Sequence, residues 1–306
     1  MEEKIIHKVI REICEELNID FKLLSRDWII KLEKDNKIRF VSGYKFDLNT
    51  HAIGEIIDDK YGLYEILKDE NIPIIEHNII YSKDNNSDFA IGYNDYNKVK
   101  DYFKTHNNSI VIKPNTGTCG KGVYHIENID DIEPTLELLF NKNYSLSYCP
   151  FYNIKKEYRI IVLNNKIKLI YQKERPIIKG NGINTIKELL IDFNKNYFID
   201  KELDEEYDRV LDKNELFEYS WKFNLSKGSI SSIVTDEEIK NKLTNITNKI
   251  LNKFNMKFVS IDIIDTDNKL LVMEINSGVM MKNIYYQLGE DIVKDIYKDA
   301  IIELFK

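Results

Sequence analysis

The chain has 306 residues, 43% of them apolar, and its 44 lysines and arginines stand against 51 acids for a formal net charge of −7. That length supports two or three compact units of about 100 to 200 residues, no apolar run reaches the roughly 18 residues that a membrane helix needs, and lysines interleaved with acids give no basic face for nucleic acid. Three cysteines without paired spacing argue against a disulfide framework or structural zinc, and the charged N-terminus has no small-residue cleavage site, so a reducing, cytoplasmic setting is expected.

In chain order, Ile5, Ile6, Val9, Ile10, Ile13 and Leu17 share one face of a helix over residues 2–17. Alternation then predicts a hairpin turning at Asp35-Asn36, so residues 1–50 read as a small helix-and-hairpin element. Residues 51–108 form a linking, helical part: two short helices and then an extended segment, Ile72-Pro73-Ile74-Ile75, which the proline separates from the helix before it. A unit over 109–150 holds a strand at 109–113, a glycine-rich loop and a helix near 130–140. The last unit, 151–306, starts with a hairpin around Asn164-Asn165 and continues with a helix near 185–195 and an acidic helical stretch at 202–212. A long helix at 236–254, a hairpin turning at Thr266 to Asn268 and a terminal helix from Gly289 complete it. Strands that arrive as hairpins between helices predict an α+β protein with mainly antiparallel sheets.

Three constellations carry chemistry. In "KPNTGTCGKG" the glycines at 117, 120 and 122 can turn backbone N–H groups toward one point, as in a phosphate cradle, and Lys113 and Lys121 add charge. The loop fits neither the P-loop nor the dinucleotide pattern, and a plain hairpin is the competing reading. Asp262 in "SIDII" and Glu274 with Asn276 in "VMEIN" can converge, because i and i+2 share a strand face; oxygen donors of this kind suit a hard cation such as Mg²⁺, whereas acids among Ile, Val and Met would otherwise be costly to bury. Glu157 and Arg159 form another i, i+2 pair, either a salt bridge or a pair aimed at a nucleotide. Cys119 in the loop, with no histidine near it, reads as a small loop residue rather than a nucleophile, and His51, His77, His106 and His125, which have no metal-ligand spacing, read as surface histidines.

In this order the motifs resemble the ATP-grasp superfamily of carboxylate–amine ligases, most of all the ATP-grasp domains of cyanophycin synthetase and bifunctional glutathione synthetase. The resemblance runs from about residue 50 to 306 through "DDKYGLYEILKDENIPIIEH", "VIKPNTGTCGKGV", "EYRIIVL", "KGNGINTIKELL", "FNLSKGS" and "SIDIID…LLVMEINSG". It implies an ATP-grasp fold with two α+β subdomains clasping ATP. Lys60, Lys113, Gly117, Thr118, Gly120, Lys121 and Gly122 would then hold the nucleotide, with Tyr148, Cys149 and Phe151 as hinge contacts to adenine and Glu157 as a polar contact. Asp262, Glu274 and Asn276 would hold two Mg²⁺ ions, with Mn²⁺ as the alternative metal, and Arg159, Arg175 and Lys173 would stabilise the moving γ-phosphoryl group. The implied activity is ADP-forming amide ligation through an acyl phosphate on an amino acid or peptide, with a peptide or carrier protein presenting the acceptor and a homodimer left open. A kinase-like phosphoryl transferase and a silent Mg-ATP-binding module are the rival readings. Met280 and Met281 read equally as an apolar acceptor wall or as core.

Overall fold

The computed structural model of the chain describes residues 3–85, 88–117, 120–193, 205–225, 228–266 and 269–306. Thr118 and Cys119, the tip of the last hairpin and the start of the acidic stretch therefore lie outside the described residues.

The N-terminal element consists of α1 (Ile5–Leu17), β1 (Asp20–Leu24), β2 (Ile29–Lys34), β3 (Lys37–Ser42) and β4 (Lys45–Phe46). Asn18 ends α1 in the left-handed region at φ 50° and returns its N–H to the Cys14 carbonyl. The expected hairpin is the centre of a four-stranded antiparallel meander, because β1 and β4 add to its two edges. Asp35 and Asn36 both have positive φ, the turn geometry that matches strand twist. Next come α2 (His51–Asp58) and α3 (Lys60–Asp69), capped by the side chains of Thr50 and Asp59.

The small sheet is built from β5 (Asn78–Tyr81), β6 (Ile110–Pro114), β7 (Tyr124–Ile126) and β8 (Ser145–Pro150), with α4 (Tyr96–Thr105) and α5 (Ile132–Phe140) on one face. Its order is β5-β8-β6-β7. Ile80, Ile110, Ile112, Leu146 and Tyr148 point toward the helices, so Lys113, Ser147 and Cys149 point the other way.

The rest of the chain runs through β9 (Lys156–Leu163), β10 (Lys166–Glu174), β11 (Ile177–Lys179), α6 (Ile186–Phe193), β12 (Leu216–Glu218), β13 (Ile230–Ile233) and α7 (Glu237–Lys253) to β14 (Phe258–Asp265), β15 (Leu270–Asn276), α8 (Lys282–Gln287) and α9 (Glu290–Leu304). The main sheet is five-stranded and antiparallel, in the order β13-β10-β9-β14-β15. One face, with Tyr158, Ile160, Val162, Val259, Ile261 and Ile263, packs on α2, α3 and α7. The other has an apolar half of Ile161, Leu163, Leu169, Tyr171 and Phe258, covered by α1, the meander and α9. The N-terminal element thus shares a core with the C-terminal helix. Segment 72–75 lies along the outer edge of the main sheet, where Ile75 N–H and Val272 N–H bond across it at 2.9 and 2.8 Å.

The acidic stretch is not an α-helix among its described residues. It holds one short 3₁₀ turn, Glu205–Asp208; the Arg209 carbonyl then accepts from Ile186 N–H and Leu211 is fully buried under α6, which pulls the backbone extended. Met281 is core, 1% exposed, whereas Met280 is half-buried.

Ile10 is fully buried in the core that α1 shares with α9. Ile10→Ala is expected to cost about 2–5 kcal/mol in a single urea transition of the whole chain. A separate, earlier transition of the N-terminal element would contradict the shared core.

Candidate active site

The uncovered half of the main sheet carries the charges. Antiparallel register places Glu157 opposite Lys173, Arg159 opposite both Tyr171 and Asp262, and Asp262 opposite Glu274. Arg159 donates twice to Asp262, Nε to Oδ1 and Nη2 to Oδ2, both at 2.5 Å. Lys173 Nζ donates to Glu157 and, at 3.4 Å, to Asp262 Oδ1. Asp262 is fully buried, while Glu157 and Lys173 are each 4% exposed. Two acids and two bases therefore cancel in a medium where an unpaired charge would not survive. Burial opposes the Asp262 charge, but Arg159 and Lys173 outweigh it and hold the carboxyl below its usual range. For Glu157 burial wins over Lys173 and, with Asp262 nearby, pushes the carboxyl up to about 7.

Beside this network, Glu274 and Asn276 share a face of β15, and Asn276 Nδ2 donates to Glu274 Oε1 at 3.1 Å. Their remaining oxygens are a hard donor set. Asp262 has both oxygens on Arg159, and among the described residues no group of three or more His, Cys, Asp or Glu side chains is arranged to hold a metal ion.

Across from them, Lys113 comes from β6 and Lys60 is the first residue of α3. Lys60 Nζ donates to the carbonyls of Asn115 and Gly117 at 3.3 and 3.0 Å. Burial lowers its pKa, Glu274 raises it and Lys113 lowers it, so the lysines of the small-sheet side and the acid of β15 feel one another. Among the described residues neither lysine has an ion-pair partner. Gly120 and Gly122 have φ of 66° and 67°, and a Cβ on Gly122 would come within 3.1 Å of Leu139 and 3.2 Å of Pro114, so that turn requires glycine. Lys121 between them is exposed.

The hinge residues are placed differently from one another. β8 is an interior strand in which Tyr148 pairs with Asn78 of β5 and Ile112 of β6, and Cys149 pairs with Val111 of β6. The Tyr148 ring lies on the helix side against Tyr102, centroids 5.1 Å apart, and Cys149 is buried on the cleft side. Phe151 N–H bonds the Ser109 carbonyl at 3.1 Å, and its ring stacks on His125 at 3.8 Å with Trp221 edge-on at 5.5 Å. Of the two cations near the end of β10, Lys173 joins the buried network. Arg175 instead donates to Glu218 Oε1 at 2.6 Å and the Ile154 carbonyl at 2.8 Å, and stands over the Phe223 ring beside a cavity of about 490 Å³.

Near the lysines, His77 is not the surface histidine expected, and Asn115 was not singled out by the sequence. His77 is 1% exposed, neither ring nitrogen has a hydrogen-bond partner among the described residues, and burial with the fields of Lys113 and Lys60 holds its pKa well below the ordinary value. Asn115 is 2% exposed and ties α3 to β6. Its place directly after Lys113-Pro114 was the available signal.

Known proteins resemble this chain in sequence and in fold. Residues 214–300 match the RimK-like ATP-grasp domain. The chain is 26% identical over 184 residues to the bifunctional glutathione biosynthesis protein of Clostridium perfringens, covering 58% of this chain and 22% of that protein. It is 24% identical over 252 residues to cyanophycin synthetase of Geminocystis herdmanii, covering 75% and 27%. The chain thus spans about a quarter of the length of these curated relatives. Among solved structures, D-alanyl-alanine synthetase A from Vibrio cholerae superposes with a TM-score of 0.57 at 13% identity, over 98% of this chain and 94% of that one. A RiPP-associated ATP-grasp ligase from Chryseobacterium gregarium, in complex with ADP and a leader and core peptide, gives 0.54 at 12%, over 97% and 92%. The bifunctional glutathione synthetase from Pasteurella multocida gives 0.54 at 17%, over 95% and 44%. At these identities the structural likeness establishes the fold.

Because the folded chain binds a proton on Glu157 more tightly than the unfolded chain does, that carboxyl's contribution to stability is full below 4.5 and is lost as pH rises through about 7. The stability of wild type minus that of Glu157→Gln, measured by urea unfolding across this window, is expected to decrease with rising pH. A difference that stays flat or grows would mean that Lys173 outweighs burial.

Proposed function

We propose that this chain, which has the ATP-grasp fold and carries a RimK-like ATP-grasp domain, is an ATP-dependent ligase that joins a carboxylate to an amine with release of ADP and phosphate. The observation that carries the reading is the opposition of Lys60 and Lys113, which lack acid partners among the described residues, to Glu274 and Asn276 on the main sheet. A polyphosphate with a divalent cation satisfies both sides at once.

A carboxylate does not acylate an amine at neutral pH until one of its oxygens becomes a leaving group. Transfer of the γ-phosphoryl group to that oxygen breaks the bond to ADP and forms an acyl phosphate. The amine then attacks the acyl carbon, phosphate departs and the nitrogen loses its proton. Such transfers are catalysed by positioning and by positive charge on the phosphoryl oxygens. Lys60 and Lys113 bind the phosphates, and Gly117, Gly120 and Gly122 let backbone N–H groups approach them, with Lys121 at the turn. Thr118 belongs to the same proposal, although it lies outside the described residues. Glu274 and Asn276, with Asp262 opposite Glu274, would hold Mg²⁺ or Mn²⁺, which supplies charge neutralisation at the phosphates. Arg159 and Lys173 place fixed positive charge beneath the site, and Glu157 keeps Lys173 there. Arg175 stands at the hinge rather than in this network, which favours Lys173 as the cation nearer the chemistry.

The substrate proposed is an amino acid or peptide. The match over nearly the full length of a ligase described with leader and core peptide supports a peptide, or an acceptor presented by another protein.

The test is mass spectrometry of products after incubation with Mg-ATP and a pool of amino acids and short peptides. ADP, phosphate and a new mass equal to two pool members minus water are expected; Glu274→Ala should lower turnover at least about 100-fold, as loss of a group acting on transition-state charge does. ADP with a stable phosphorylated product would replace the ligase by a kinase.

A further inference from the structure

We propose that Asn115 is a positioning residue for the nucleotide, setting where the Lys60 ammonium stands by locking the start of α3 to the mouth of the glycine loop; the proposal rests on the ATP reading above. Asn115 uses every polar group it has. Its N–H donates to the Ser145 carbonyl at 3.2 Å, which fixes it to β8. Its side-chain Nδ2 donates to Asp59 Oδ1 at 2.8 Å, and its Oδ1 accepts from Tyr61 N–H at 3.1 Å. Its carbonyl accepts from Lys60 N–H at 3.2 Å and from Lys60 Nζ at 3.3 Å.

The residues gripped are 59, 60 and 61, the lysine and its two neighbours. Asp59 also caps α3 by accepting from Gly62 N–H at 2.8 Å, so the same carboxylate oxygen joins the helix cap to the loop. Lys60 Nζ reaches two loop carbonyls, those of Asn115 and Gly117, and holds that geometry although burial works against its charge. A long lysine side chain left free would sample many rotamers and lose entropy on binding an anion; here that cost is met in the folded chain. At 2% exposure no water can take over these bonds. The side chain must be both donor and acceptor at fixed places, so an amide serves and a carboxylate does not: aspartate here would face the Asp59 oxygen.

The experiment measures binding of a non-hydrolysable ATP analogue with Mg²⁺ to the full chain by calorimetry, with the melting temperature alongside. Asn115→Asp is expected to weaken binding about tenfold or more, on the scale of a buried bond replaced by repulsion. The double variant Asp59→Asn/Asn115→Asp exchanges donor and acceptor between the two side chains, at the expense of the Gly62 cap, and should recover part of the affinity lost in Asn115→Asp. In a Lys60→Met background Asn115→Asp should add little further loss, which a merely structural role would not produce. Asn115→Ala, which removes both side-chain bonds without adding charge, covers the case in which the aspartate variant does not fold, and should also weaken binding. Wild-type affinity in these single variants, or an equal loss with Lys60 absent, overturns the inference alone. A wild type that binds no analogue overturns the ATP reading and this inference with it.

Discussion

The site depends on four charges on adjoining strands of the main sheet, the buried Glu157 on β9, Lys173 on β10 and Asp262 on β14 and the half-buried Arg159 on β9. Taking one such charge out of water without a partner costs several kcal/mol, so the strands can come together only in a register that pairs them. A slip of one residue would turn Arg159 and Asp262 into the apolar core under α7 and bring Tyr158 and Ile263 to the cleft. The network therefore selects the register, and the register in turn sets Glu274 opposite Asp262. The placing of Glu274 at one edge of the sheet is a consequence of charge balance at its centre.

The same face of the sheet changes character along its length. From Arg159 toward Leu163 and from Asp262 toward Phe258 it becomes apolar, and there α1, the meander and α9 cover it. Tyr171 stands at the boundary, 1% exposed and opposite Arg159. The N-terminal element is thus the cover of the apolar half, and its β3–β4 turn reaches the loop after β15, where Val279 N–H bonds the Tyr44 carbonyl at 3.1 Å. Lys45 pairs with Asp58, whose other oxygen accepts from Ser277 at 3.3 Å. One rim of the cleft is accordingly tied to the first 50 residues.

Much of this was legible where one physical rule acts alone. The i, i+2 pairs Glu157/Arg159 and Glu274/Asn276 follow from strand alternation, and the Asn164-Asn165 turn follows from the tolerance of asparagine for positive φ, 47° and 60° here. Where two rules compete, the sequence is silent. In β8 both faces are buried, so apolar runs do not say that Tyr148 faces the helices while Cys149 faces the cleft. Lys173 and Arg175 are two apart and would share a face on a continuing strand, but β10 ends at Glu174 and Arg175 turns to Glu218 and the hinge. Short edge strands such as β4 depend on tertiary pairing and give no periodic signal. Asn115 reads as a turn residue after proline, and only its three-dimensional neighbours on α3 reveal its bonds.

The two sheets meet at more than the hinge. Lys222 Nζ donates to the Val123 carbonyl at 2.8 Å and Trp221 lies edge-on to Phe151 and His125, while Phe223 sits under Arg175 and Leu225 packs against the core below α9. The segment from Trp221 to Leu225 therefore touches the small sheet at one end and the main sheet at the other. Between these ties burial and, beside it, the Lys113 ammonium raise the cost of keeping Lys60 protonated. An anion beside Lys60 would lower that cost, whereas the Glu274 carboxylate would repel such an anion until a cation neutralised it. On the proposed reading, a polyphosphate and a divalent cation would each remove a repulsion that the other would face alone.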